Sequence, residues 1–129
     1  MAVSVTNSTI LLYNTITTLT ANAATSSVID AAEVFTITPT KKDSSFFIEF
    51  RNGPTHGTVT YSIAVGEFWA APSSALTGSV LQDVTRGIIL ESAKYKTVAG
   101  TIVITFTPAS GKRLLTDHAF KVYCTELPS

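Results

Sequence analysis

Charge is scarce in this chain. Only 14% of its 129 residues are charged, and nine basic residues cancel nine acidic ones. A nucleic-acid binder needs a basic excess to release counterions from phosphates, and none is present. No polybasic run serves an anionic membrane either. Cysteine is nearly missing. Cys124 alone cannot form an internal disulfide, and no Cys/His spacing matches a zinc site. That fits folding in a reducing compartment. No 18-residue apolar stretch offers a transmembrane helix. The opening "MAVSVTNSTILLYN" has no positive n-region, and its apolar run is only Ile10–Tyr13, so no signal peptide is expected. Amphipathic helix is lacking too. The best candidate, Ala21–Ala32, is dominated by Ala, Ser and Thr without an apolar stripe, which predicts at most a helical turn.

What the chain does have is hydrophobic residues at 45%, and roughly a quarter Thr and Ser, of which Thr favours strands. The apolar residues alternate with period two. In Ser45–Arg51, Phe46, Ile48 and Phe50 share a face. In Thr58–Val65 the set is Val59, Tyr61, Ile63 and Val65. In Thr101–Thr107 it is Ile102, Ile104 and Phe106, and in His118–Glu126 it is Phe120, Val122 and Cys124. Half-buried strands read this way. Weaker strands are predicted at Glu33–Thr38 and Arg86–Ser92, and "GSVL" at Gly78–Leu81 can pair locally. Turn phrases separate the runs: "KKDSS", "NGPTHG", "APSS", "KTVAG" and "PASGK". With no crossover helices, this spacing predicts an all-β fold, a single antiparallel β-sandwich or jelly-roll-like barrel.

The length fits one domain. Residues 33–129 form its predicted β-sandwich. Residues 1–32 differ, being rich in Thr, Ala, Ser and Asn, with no Gly or Pro and one charge, Asp30. They read either as a first strand closing the sandwich or as an extended N-terminal arm that adds a strand to a neighbouring subunit. Both demand the same alternation.

The stretch "TPASGKRLLTDHAFKVY" looks chemical but does not meet the requirements of any reaction. A phosphate loop needs several glycines and a Ser or Thr after the lysine; here Arg113 follows Lys112. A catalytic relay needs an acid behind the imidazole, whereas Asp117 and His118 are neighbours that point apart on a strand. Asp117 is expected to cap the turn. His56 and His118 are far apart, with no carboxylate cluster to complete a metal site. Cys124 alternates inward and is expected to be buried and inert. No enzyme activity, cofactor or metal is therefore expected.

The remaining candidates are contact residues. Phe68 and Trp69 lie in the loop "GEFWAAPSSALTG", where they either plug the open end of the core or anchor an interface. The cluster Ile10, Leu11, Leu12 and Tyr13 marks the arm. Lys41, Lys42, Lys112 and Arg113 sit in two basic turns, which make a positive patch if the turns share one end.

The runs "FTITPTKKDSSFFIEFRNG…HGTVTYSIAVGEFWA" and "GTIVITFTPASGKRLLTDHAFKVYCTEL" resemble the small all-β auxiliary head proteins of tailed bacteriophages, the capsid-decoration or cement proteins. The likeness lies in texture and turn phrasing over residues 33–127. No residue of this chain matches a known functional position, so no site is carried over. The resemblance implies a protein made in the bacterial host cytoplasm and located on the capsid exterior of the virion. It would bind the major capsid protein and itself, often as a trimer, without nucleic acid or membrane. Within the virion, a tail-tube or head–tail connector subunit is the alternative. From a different class, a carbohydrate-binding or adhesion β-sandwich module fits an exposed Trp69.

Overall fold

The computed structural model describes residues 3–5, 8–40 and 42–128. Lys41 lies outside them, so one of the four basic-turn candidates has no described position. The N-terminal segment holds β1 (Val3–Val5), β2 (Ser8–Ile10) and β3 (Ala21–Ala23). The body follows with β4 (Glu33–Ile37), β5 (Phe46–Arg51), β6 (Val59–Ile63), β7 (Leu76–Val80), β8 (Thr85–Ile88), β9 (Ile102–Thr107) and β10 (Lys121–Glu126). Helix among the described residues is limited to one turn, α1 (Ser92–Tyr95), and a 3-10 turn at Asp43–Ser45.

The strands form two mostly antiparallel sheets in a sandwich-like arrangement. One has the order β1-β4-β9-β6-β7. The other has β2-β10-β5-β8, with β3 also pairing with β10. Among the described residues, only β1 on β4 and β2 on β10 run parallel. The N-terminal segment thus starts along the edge of one sheet and continues along the edge of the other. On the opposite flank, β7 and β8 are consecutive in sequence but belong to different sheets, so the chain switches sheets there as well.

The alternation read from sequence becomes the core. Phe46, Ile48 and Phe50 from one sheet meet Phe35, Ile37, Ile102, Ile104 and Phe106 from the other in one hydrophobic cluster. Phe106 is its hub. Its ring centroid lies 5.3 Å from Phe35, 5.0 Å from Phe50 and 4.6 Å from Phe120, in edge-on or tilted geometry. Aromatic rings prefer this arrangement because the positive edge of one meets the negative face of another. Cys124 is buried within the same cluster.

Three local expectations needed revision. Ala21–Ala23 is a strand, held by its ladder to β10 and by Asn22 Nδ2 donating to Val122 O at 3.1 Å. Tertiary pairing decides this stretch, because its small side chains favour neither helix nor strand strongly. The last strand starts at Lys121 rather than His118, because Ala119 adopts φ +47° and breaks the extension. Val65 lies past the end of β6 and is 37% exposed, so it does not share the buried face of Val59 and Ile63.

Candidate functional site

Strand register assigns every loop to one of two ends. Ile37 pairs with Ile102, Phe46 with Glu126, and Ile63 with Leu76. Loops 11–20, 38–45, 64–75 and 89–101 therefore gather at what we term the upper end. Loops 24–32, 52–58, 81–84 and 108–120 gather at the lower end. A buried carboxylate ties down a loop at each. Glu126 accepts from Thr40 N–H at 2.9 Å and Thr40 Oγ1 at 2.7 Å. Glu33 accepts from Thr25 N–H at 2.8 Å and Ser26 N–H at 2.7 Å. Burying a carboxylate is costly unless donors surround it, so these two acids hold the turns in place.

The polar stretch 107–123 proves to be a hydrogen-bonded turn at the lower end. Asp117 Oδ2 accepts from Arg113 N–H at 2.7 Å, closing the turn as a cap. The Arg113 guanidinium approaches the same carboxylate at 3.7 Å. His118 is fully buried. Its Nε2 accepts from Ala109 N–H at 3.1 Å, so Nδ1 carries the proton and donates to Asn52 Oδ1 at 3.2 Å. Both ring nitrogens are occupied: Nδ1 joins loop 108–120 to loop 52–58, and Nε2 braces loop 108–120 internally. Burial holds the His118 pKa below the ordinary histidine value, with Asp117 opposing. Among the described residues, no three His, Cys, Asp or Glu side chains cluster as a metal site.

The two basic turns lie at opposite ends. Lys42 precedes the upper start of β5, whereas Lys112 and Arg113 lie in the lower turn before β10. Lys42 therefore shares no positive patch with Lys112 and Arg113. The apolar candidates are different. Ile10, Leu12, Tyr13, Phe68 and Trp69 are all exposed at the upper end, with Trp69 at 99% and Tyr13 at 78%; Leu11 is half-buried. Phe68 retains 43% exposure, so it covers the core only in part.

Ile16, Leu19, Ile89 and Val98 join them at this end, and sequence reading missed all four. Ile16 and Leu19 sit in "TITTLT", three residues apart and so out of period-two register, and no described strand pairs with this stretch. The apolar loops occupy opposite flanks. Loop 11–20 rises between β2 and β3 at the edge of β10. Loop 64–75 joins β6 to β7 on the far edge of the other sheet, braced by Gly66 N–H to Lys94 O at 2.7 Å. These side chains are exposed on loops and are not part of the buried core.

A second feature is the outer face of β6, β7 and β9. Thr60, Ser62, Thr77, Ser79, Thr105 and Thr107 line a shallow recess of about 390 Å³ there. It is uncharged and rich in hydroxyls. Comparison with family models, with curated proteins and with solved structures finds no match to this chain.

Proposed function

We propose that this chain is a virion structural protein of a tailed bacteriophage, a capsid-decoration or cement protein that binds and reinforces the head shell. The observation that carries the reading is the concentration of exposed Tyr13, Ile16, Phe68 and Trp69 on upper-end loops of an otherwise well-packed all-β body. Such side chains gain free energy when a partner covers them, at about 25 cal/mol per Å² of apolar surface. The near-neutral charge adds little repulsion between closely packed copies. The resemblance in strand and turn phrasing supports the same reading. The partners are the major capsid protein and further copies of this chain, in a trimer on the capsid exterior.

Residues 1–32 act as the arm in this scheme. β1 and β2 are three-residue edge strands. The edges they cover, on β4 and β10, are the edges a neighbour's arm would cover in a closed jelly-roll-like assembly. Repetition over a shell multiplies a modest contact through effective concentration.

The test is co-sedimentation with capsid shells, alongside light scattering on the isolated protein. The expected result is shell binding that weakens at least tenfold in Trp69→Ala or Tyr13→Ala while folding is retained. A strict monomer that ignores shells removes the proposal. The hydroxyl-lined recess favours a second reading, a carbohydrate-binding module, because neutral hydroxyl arrays match neutral sugars. A glycan array comparing the natural chain with Trp69→Ala and Thr60→Val separates the two.

A further inference from the structure

Like charges directly opposed across a ladder are destabilising, since their Cβ atoms lie about 5 Å apart. Arg51 of β5 faces Lys121 of β10 in this way, on the exposed side of the sheet. Among the described residues neither cation has a carboxylate within ion-pair distance. The ion pairs among the described residues are Lys94–Glu91 and Arg113–Asp117, and neither cation takes part. Arg51 is instead fixed by Tyr123, with its guanidinium carbon 4.6 Å from the ring centroid and Nη1 3.4 Å from the phenol oxygen. Stacking holds the guanidinium plane while leaving other N–H groups able to donate.

Both cations line a recess of about 270 Å³ at the lower end, walled also by Gly53, Asp83 and Ala119. The walls are fixed from beneath. Asp83 N–H donates to Gly53 O at 2.8 Å, and Gly53 N–H donates to His118 O at 2.9 Å. Ala119 and Asp83 both hold positive φ, at +47° and +60°. The left-handed Ala119 turns the chain sharply just before Lys121.

We propose that this recess binds a single carboxylate, presented by an acidic side chain of a peptide segment. Arg51 supplies a planar fork of donors and Lys121 a further ammonium donor, the arrangement that recognises carboxylates. Asp83 leaves the recess with one net positive charge. That matches one monoanion and penalises a phosphate dianion through repulsion from the Asp83 carboxylate. The assignment stands on the recess alone and does not depend on the shell reading.

The experiment is amide NMR of the full chain titrated with the blocked tripeptide acetyl-Gly-Glu-Gly-amide, its Gln counterpart and inorganic phosphate. The Glu peptide is expected to give saturable shifts at Gly53, Asp83, Thr85 and Lys121, with the Gln peptide giving none. Lys121→Gln should weaken Glu-peptide binding about tenfold while leaving the melting temperature equal or higher, because the opposed charges are gone. Asp83→Asn should improve phosphate binding. Three outcomes overturn the proposal: no saturable shift, equal response to the Glu and Gln peptides, or unchanged affinity in Lys121→Gln. Phosphate binding more tightly than the Glu peptide overturns the choice of carboxylate.

Discussion

His118 donates from Nδ1 to Asn52 Oδ1 at 3.2 Å, and Asn52 Nδ2 donates onward to Gly57 O at 2.9 Å and Val80 O at 3.0 Å. Through this pair the lower-end loops of both sheets are held to one another. Every polar atom of the two side chains has a partner, which is what makes their burial affordable.

Removing either member should therefore be costly. His118→Ala orphans the Ala109 N–H and the Asn52 oxygen, with an expected loss of about 2–5 kcal/mol. Asn52→Ala breaks the same network. Urea unfolding of both single variants and the double variant should show strong non-additivity, with the double costing little more than either single. Simple additivity would mean that the two side chains act independently.

The same network gives a pH dependence with a defined sign. Burial lowers the folded-state pKa of His118, so the unfolded chain binds this proton more readily. Above the ordinary histidine value of about 6.5 both states are neutral and stability is full. As pH falls through that value towards the depressed folded pKa, stability declines. Melting temperatures from pH 7.5 down to 5 should fall in the natural chain and fall less in His118→Gln. Asp43 acts in a lower window. Burial raises its pKa, but donation from the Ser92 hydroxyl and N–H, with Lys96 nearby, prevails and holds it below the usual carboxylate value. Its contribution is present above about pH 3.9 and is lost as pH drops through the lower folded value.

Phe106 makes three ring contacts, that with Phe50 crossing between the sheets, so Phe106→Ala should cost about 3–5 kcal/mol by cavity formation. Phe106→Leu should cost less, since it keeps most of the volume. Chemical denaturation checks both. A loss under 1 kcal/mol for the alanine variant would contradict the central position of this ring.

Gly78 is the cross-strand partner of Tyr61, whose ring and hydroxyl occupy the space a Cβ would fill. The ring lies there while packing on Phe50 at 5.3 Å. Gly78→Val should push Tyr61 out and cost about 1–3 kcal/mol, despite the higher strand propensity of valine. Loss of the Tyr61 near-ultraviolet circular dichroism signal would accompany it. A stabilised Gly78→Val variant would show that propensity outweighs packing at this edge.

Sheet-forming segments were legible because period-two alternation is a local property. Phe46, Ile48 and Phe50 had to share a face whatever the fold, and the same holds for Ile102, Ile104 and Phe106. The burial of Cys124 and the capping role of Asp117 followed from similarly short-range arguments. Ile16 and Leu19 were not legible as exposed, because whether a short Thr-rich stretch is covered depends on neighbours remote in the chain. The separation of the two basic turns and the opposition of Arg51 to Lys121 were hidden for another reason. Both depend on which strands are neighbours and in which direction they run.

Residue order alone thus determined a nearly all-β chain and the assignment of apolar residues to faces. Tertiary structure decided which loops share an end, which polar groups bury together around His118, and where like charges confront one another. The physical reason is range. Side-chain alternation is set within a few residues, whereas strand pairing joins residues such as Arg51 and Lys121 through hydrogen bonds that no local pattern encodes.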